Sequence, residues 1–307
     1  MTMKNLRLSR RTFSTALLGT AASVAFPPVV FAGEVVSLNI GTKVVSMLSD
    51  GHFSLPSAFF QGADEEALAA AGDPIDIGAT AWLVRDDDRI ILVDTGSGQA
   101  LSGMFPTVGK LDALLAAERI EKTAISDIVL THMHADHIGG LMGPDAGGFA
   151  NAKIHVAEAE WAFWTNPALL ANAPEADKPM IELLQSIAAP LADRVTTYVG
   201  EADLGGGVTL VPLPGHTAGH SGVRVAAVDG EALFIVGDAV ISEALQFAHP
   251  NVSCALDSDP AQAIATRTEL LVQLAENETV FSATHLSYPG TGRVERAGEG
   301  FAFVPLT

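Results

Sequence analysis

Residues Thr131 to Gly140 read T-H-M-H-A-D-H-I-G-G, and no other stretch limits so tightly what this chain can build. His132, His134, Asp136 and His137 fall within six positions, directly after the apolar run Ile128-Val129-Leu130. A strand feeding a short loop of imidazoles and a carboxylate delivers several metal ligands to one point. Neutral imidazole together with carboxylate suits zinc or another first-row divalent ion. Two histidines separated by one residue converge from an extended loop, whereas Asp136 and His137 face another direction. The spacing therefore predicts two adjacent metals rather than one. A polar loop that is merely rich in histidine is the competing reading.

The rest of the chain supplies further ligands. Gly215 to His220 reads G-H-T-A-G-H and follows the strand-like Val208 to Leu213. Gly237-Asp238 ends the apolar run Ala232 to Val236, and His285 lies just past Thr279 to Thr284. Each candidate sits at the end of an extended apolar segment, where loops gather ligands above a rigid sheet. The set H-x-H-x-D-H, then His216, Asp238 and His285, resembles the metallo-β-lactamase-fold hydrolase superfamily. Leu92-Val93-Asp94-Thr95-Gly96 resembles the strand and acidic turn that precede the metal loop there. The similarity runs from about Val35 to the C-terminus. It implies an α/β (α+β) chain folded as a four-layer αββα sandwich; the pattern of segments alone gives mixed α and β.

The resemblance also implies roles. His132, His134 and His216 would hold a first metal, and Asp136, His137 and His285 a second, with Asp238 bridging them. The expected cofactor is two divalent ions per chain, zinc first, with Mn, Fe or Co as other first-row choices. A hydroxide bridging ions about 3.5–4 Å apart would be the nucleophile, because metal lowers the pKa of water to roughly 7. Asp136 would also orient that hydroxide or shuttle a proton, which makes Asp136 and Asp238 the catalytic candidates. Asp94 would hold a ligand histidine or the loop backbone, and His220 would support its own loop. His52, His155 and His249 are expected to be structural or surface groups, with His249 the one most apt to border the pocket. Glycines 139, 140, 215 and 219 are expected to let backbone pass close to the metals.

Within the superfamily, the second metal is not bound through cysteine, since Cys254 does not fall at the matching place. In the acyl-homoserine lactonase branch a tyrosine follows the bridging aspartate by three residues; here that position is Ile241, which donates no hydrogen bond. The C-terminal third resembles methyl parathion hydrolase-like dinuclear enzymes in Gln246-Phe247, Leu256-Asp257-Ser258-Asp259, the run from His285 to Gly290, and Gly298 to Pro305. That likeness implies an aromatic pocket wall at Trp164 with Phe163, with Met104, Phe105, Met180 and Ile181 as weaker pocket candidates. The implied activity is hydrolysis of small neutral esters, aryl phosphotriesters or lactones. Alternatives are an acyl-homoserine lactonase, an iron-dependent sulfur dioxygenase, and a non-catalytic metal-binding protein.

Ser9-Arg10-Arg11-Thr12-Phe13 is a twin-arginine pattern, followed by the mildly apolar Ser14 to Phe26 and then Pro27-Pro28. That run is shorter than the roughly 20 residues a membrane-spanning helix needs. Residues 1–32 are thus expected to be an export signal and residues 33–307 one hydrolase domain, periplasmic or secreted; an uncleaved amphipathic anchor is the other reading. The signal takes four of the 17 basic residues and none of the 36 acidic ones, leaving a formal charge of −23. Such a surface repels nucleic acid and anionic membranes, so a small-molecule substrate is expected, with no nucleic acid and no stable membrane anchor. A homodimer is compatible with the sequence. Cys254 is the only cysteine, so no internal disulfide forms, and a buried inert thiol is expected.

Strands are expected at Ala79 to Val84, Ile90 to Val93 and Asn151 to Val156, and a hairpin from Val223 to Val236 turning at Asp229-Gly230. Helices are expected at Lys110 to Arg119, Glu158 to Phe163, and from the Asp259-Pro260 cap to about Glu276.

Overall fold

In the strand Arg89–Val93, Ile91 and Val93 point to one side of the sheet and Leu92 to the other, yet all three are buried. A strand alternates its side chains between two faces, so burial on both requires a layer on each. The computed structural model, which describes residues 30–32, 35–87 and 89–306, provides them. Eight strands form the first sheet, in the order Val30–Ala32, Val35–Ile40, Lys43–Leu55, Ile75–Asp86, Arg89–Val93, Asp127–Val129, Lys153–Ala157, Val195–Tyr198. The last four run parallel, joined by helical crossovers. Seven strands form the second, in the order Ala202–Asp203, Val208–Pro212, Ser221–Ala226, Ala232–Ile235, Val280–Ser282, Thr291–Ala297, Gly300–Pro305.

The sheets face each other across a dry layer in which Val45, Met47, Trp82, Val93 and Val129 meet Leu210, Val223, Leu233 and Ile235. Trp82 is fully buried there, and its indole N–H donates to Ser282 Oγ at 2.9 Å, tying one sheet to the other. Helices cover the outer faces. Leu111, Leu114 and Leu115 of the helix Leu111–Ala117 and Ile181, Leu184 and Ile187 of Lys178–Ala188 pack on the first sheet. Leu270, Leu271 and Leu274 of Pro260–Glu276 pack on the second. The result is the four-layer αββα sandwich.

The helix after Asp259 starts as its sequence dictates: the Asp259 side chain accepts from Gln262 N–H, and Pro260 opens the first turn. The hairpin at Asp229-Gly230 is present as Ser221–Ala226 paired antiparallel with Ala232–Ile235. Boundaries shift elsewhere: the strand expected at Ala79 to Val84 runs from Ile75 to Asp86, and the helix expected to Arg119 ends at Ala117. Lys43–Leu55 and Lys178–Ala188 went unread in the sequence. The first mixes apolar with small polar residues.

Most of the expected export signal lies outside the described residues. Val30–Ala32, which cleavage after Ala32 would remove, pairs antiparallel with Val35–Ile40. Among the described residues no helix is long and apolar enough to cross a membrane.

Candidate metal centre and substrate cleft

The histidine-rich loop leaves the first sheet at the end of Asp127–Val129, and His134 caps the short helix Ala135–Ile138 that carries Asp136 and His137. Gly139 and Gly140 then let the chain lie against the acidic turn: a Cβ on Gly140 would fall 2.1 Å from the Thr95 carbonyl oxygen. The neighbour that demands glycine at Gly140 is the backbone of that turn. His216, Asp238 and His285 come from loops at the matching ends of the second-sheet strands Val208–Pro212, Ala232–Ile235 and Val280–Ser282.

All seven expected ligands converge. His134 Nδ1 lies 3.1 Å from His132 Nε2 and 3.0 Å from His216 Nε2. His137 Nε2 and His285 Nε2 each lie 3.5 Å from Asp136 Oδ2. The Asp238 carboxylate sits between the groups, with Oδ2 3.0 Å from His285 Nε2 and 3.3 Å from His216 Nε2, and Oδ1 3.3 Å from His137 Nε2. Three clusters, His132/His134/His216, His132/His137/Asp238 and Asp136/His137/His285, each gather their donor atoms within 4.8 Å.

The outer faces of these imidazoles decide which nitrogen carries hydrogen. His285 Nδ1–H donates to Gly78 O at 2.7 Å, and His137 and His216 turn Nδ1 to Asp94 (2.8 Å) and Asp257 (2.9 Å). Thr131 Oγ1 donates to Asp94 Oδ2, so it accepts from His132 Nδ1–H at 3.1 Å. Each outward donation leaves an Nε2 lone pair aimed inward, as metal ligation requires. His137 Nε2 and Asp238 Oδ1 are buried and lack hydrogen-bond partners, because they point at a common centre rather than along a bond to each other. Imidazole and carboxylate donors with two such orphaned atoms fit divalent ions.

His220 is not among the converging atoms. It donates from Nδ1 to Leu213 O and accepts the Asp238 backbone N–H on Nε2 at 3.0 Å, so it fixes the loop that presents Asp238. His155 bridges Asp127 and Tyr198 far from the centre, His52 is exposed, and His249 is half-buried outside the cleft. Two supports were missed by sequence reading. Asp257 orients His216, and Glu160 binds the ligand loops; neither carries a local signal, because the partners are distant in the chain.

A cleft of about 240 Å³ opens onto His134, Asp136, Asp238 and His285. Its walls are Phe53, Leu55, Phe59, Ile77, Leu101, Phe105, Met180, Leu184, Ile241 and Leu256. The two-stranded pairing of Phe60–Gln61 with Ser253–Cys254 brings Phe59 and Cys254 to it. Burial pushes the Cys254 thiol up to about 12, which keeps it protonated and inert. Phe105, Met180 and Ile241 line the cleft as expected candidates, whereas Trp164, Phe163, Met104 and Ile181 do not. Trp164 is buried, its N–H donated to Glu160 Oε1 at 2.7 Å and its ring edge-on to His134. Met104 is 66% exposed. The aromatic wall is instead Phe53 and Phe105, edge to face at 5.3 Å, with Phe59.

Residues 75–285 match the family model of the Metallo-beta-lactamase superfamily. The chain belongs to that superfamily. A probable metallo-hydrolase of Mycobacterium bovis is 33% identical over 47% of this chain and 51% of its own length. A hydroxyacylglutathione hydrolase of Hyphomonas neptunium is 32% identical over 52% of this chain and 50% of its own. The chain thus spans about half the length of these curated relatives. Among solved structures of this superfamily fold, the hydrolase AbOPH superposes with a TM-score of 0.81 at 25% identity, covering 90% of this chain and 99% of that one. AidC, a dizinc quorum-quenching lactonase in complex with a homoserine product, gives 0.80 at 28%, covering 89% and 97%.

Burial presses hard on every candidate ligand. Burial and then His137 hold His132 well below its ordinary range, and burial with His216 brings His134 to about 3. At His216 burial also opposes protonation, but Asp238 and Asp257 outweigh it and raise the imidazole to about 9. His137 and His285 are raised against burial by Asp238 and Asp136. In the metal-free protein, therefore, protons on His137, His216 and His285 offset the carboxylates. A histidine raised from 6.5 to about 9 stabilises the fold fully below pH 6.5 and loses that contribution as pH climbs through 9. The metal-free Tm is expected to fall over this window. The metal-loaded Tm is not, because ligand imidazoles carry no inward proton to lose. Melts of both forms check this, and parallel curves would refute it.

Proposed function

We propose that this protein is a dinuclear metallohydrolase of small, neutral, lipophilic substrates: aryl esters and aryl phosphotriesters of the methyl parathion type, with lactones as secondary substrates. The observation that carries this is the cleft, apolar on every wall and floored by metal-ligand candidates, with no lysine or arginine among the described residues that line it. Substrate charge placed along these walls, away from the metal ligands, would lose hydration without gaining a side-chain partner. His132, His134 and His216 would hold one ion and Asp136, His137 and His285 the other, with Asp238 between them. Bound divalent ions supply Lewis acidity and a water acidic enough to attack at neutral pH. Zinc fits this donor set, and Mn, Fe or Co are compatible with it.

Asp136, the most accessible of the ligand carboxylates at 17% side-chain exposure, faces the cleft and is placed to orient the attacking water or pass a proton. Phe53, Phe59 and Phe105 would bury an aryl ring beside it. Phe105→Ala is expected to raise KM for aryl substrates about tenfold and leave kcat within twofold, the pattern of lost uniform binding. Equal KM changes for aryl and small alkyl esters would remove Phe105 from the proposal.

A second reading, N-acyl homoserine lactone hydrolysis, is favoured by the likeness to AidC, since an acyl chain also suits an apolar cleft. Export by the twin-arginine route is part of the proposal and rests on Arg10-Arg11. Arg10→Lys with Arg11→Lys is expected to retain active precursor in the cytoplasm. Unchanged export of the double variant, measured by cell fractionation, would remove that assignment.

A further inference from the structure

Outside the ligand set, the most fully satisfied buried charge-bearing side chain among the described residues is Glu160, in the helix Glu158–Trp164, with no exposure to solvent. Its Oε1 accepts the Met133 backbone N–H at 2.9 Å and the Trp164 indole N–H at 2.7 Å. Its Oε2 accepts the Thr217 hydroxyl at 2.6 Å and the Gly219 backbone N–H at 2.9 Å. Met133 lies between His132 and His134, Thr217 follows His216, and the Trp164 ring meets His134 edge-on with centroids 5.6 Å apart. Gly219 approaches so closely that a Cβ there would stand 2.2 Å from Glu160 N. All four donors belong to the surroundings of His132, His134 and His216. Met133 precedes His137 in the same loop but sits between the two histidines of the first half, and no donor belongs to the loops of Asp238 or His285.

We propose that Glu160 is a positioning residue that locks two loops from opposite sheets into the three-histidine half of the metal centre. This rests on the dinuclear reading above. One carboxylate is the only side chain of its size that accepts on both ends, and here each end meets a backbone N–H, which cannot reverse its polarity. Glutamine keeps the shape but must turn its NH₂ toward either Met133 N–H or Gly219 N–H. One loop then has to withdraw, leaving His132 and His134 out of register with His216. The other half of the site depends on Asp94, Gly78 and Asp136 and keeps its supports.

The test loads the mature chain with two equivalents of Co²⁺ and follows its visible spectrum during chelator competition. The wild type is the reference: if it binds fewer than two ions, the dinuclear reading itself fails. With two bound, Glu160→Gln is expected to release one ion at about 10- to 100-fold lower chelator concentration, the usual cost of losing an outer-sphere support. The second ion is expected to leave as in the wild type. Two unchanged releases, or two equal shifts with a lowered Tm, would overturn the positioning role. Should Glu160→Gln not fold, Trp164→Phe removes a single donor and keeps an aromatic ring against His134. It is expected to weaken the same ion by less than tenfold, and no shift or an equal shift of both ions would overturn the inference.

Discussion

Asp238→Ala is expected to lower kcat/KM by at least about 1000-fold, about 4 kcal/mol of transition-state stabilisation, and to lower metal content at both positions. The reason is geometric. Asp238 places its two carboxylate oxygens within 3.3 Å of His137, His216 and His285, which belong to both inferred half-sites. No other ligand has that reach. Burial resists ionisation of Asp238, but His285, His137 and His132 around it hold the carboxyl well below the usual range, so it is an anion at any working pH. Alanine leaves several imidazoles facing each other with no negative charge among them. Elemental analysis with steady-state kinetics on an aryl ester checks both effects. Full activity with one ion per chain, in variant or wild type, would end the dinuclear reading.

The second large effect concerns substrate choice. Neutral aryl esters and aryl phosphotriesters are expected to exceed a glutathione thioester by at least about 1000-fold in kcat/KM, since the charged ends of the tripeptide, remote from the scissile bond, meet no lysine or arginine among the described residues lining the cleft. Among neutral substrates, aryl leaving groups are expected to beat unsubstituted aliphatic lactones. Ile241 lines the cleft where a hydroxyl would otherwise assist a departing alkoxide, so the leaving group must carry its own charge. Rates should fall as leaving-group pKa rises, until another step limits turnover. One metal-loaded preparation assayed on all three classes decides the matter. Aliphatic lactones at the top would install the homoserine lactonase reading, and the thioester at the top would link the chain to hydroxyacylglutathione hydrolases.

The convergence of these side chains was legible in the sequence because the loops that carry them follow strand ends. Apolar runs such as Ala232 to Val236 announce the strand, and the residue that follows has little freedom over where it points. The pocket was not legible. The family likeness implies a wall residue at Trp164, yet its indole N–H needs a buried acceptor and finds Glu160, which holds the ring out of the cleft wall and edge-on to His134. Phe53 and Phe59 lie far along the chain from Phe105 and Ile241, and only the pairing of Lys43–Leu55 with Ile75–Asp86 and of Phe60–Gln61 with Ser253–Cys254 brings them to the same cleft. Asp257 and Glu160 escaped for the same reason: a support is defined by what it touches, and their partners lie 41 and 57 residues away. The fold was legible in type and less so in extent, since strands such as Lys43–Leu55 owe their length to pairing with Ile75–Asp86.

The two sheets are also two contiguous stretches of chain, the first ending at Tyr198 and the second beginning at Ala202. His132, His134, Asp136 and His137 belong to the earlier stretch, and His216, Asp238 and His285 to the later. Neither stretch owns a complete ligand set, and even the group that orients His285, the Gly78 carbonyl, is lent by the other. The centre is therefore a seam. A chain emerging from the ribosome cannot assemble it until its final third has been made, and an ion seated there clasps together two halves that share no strand.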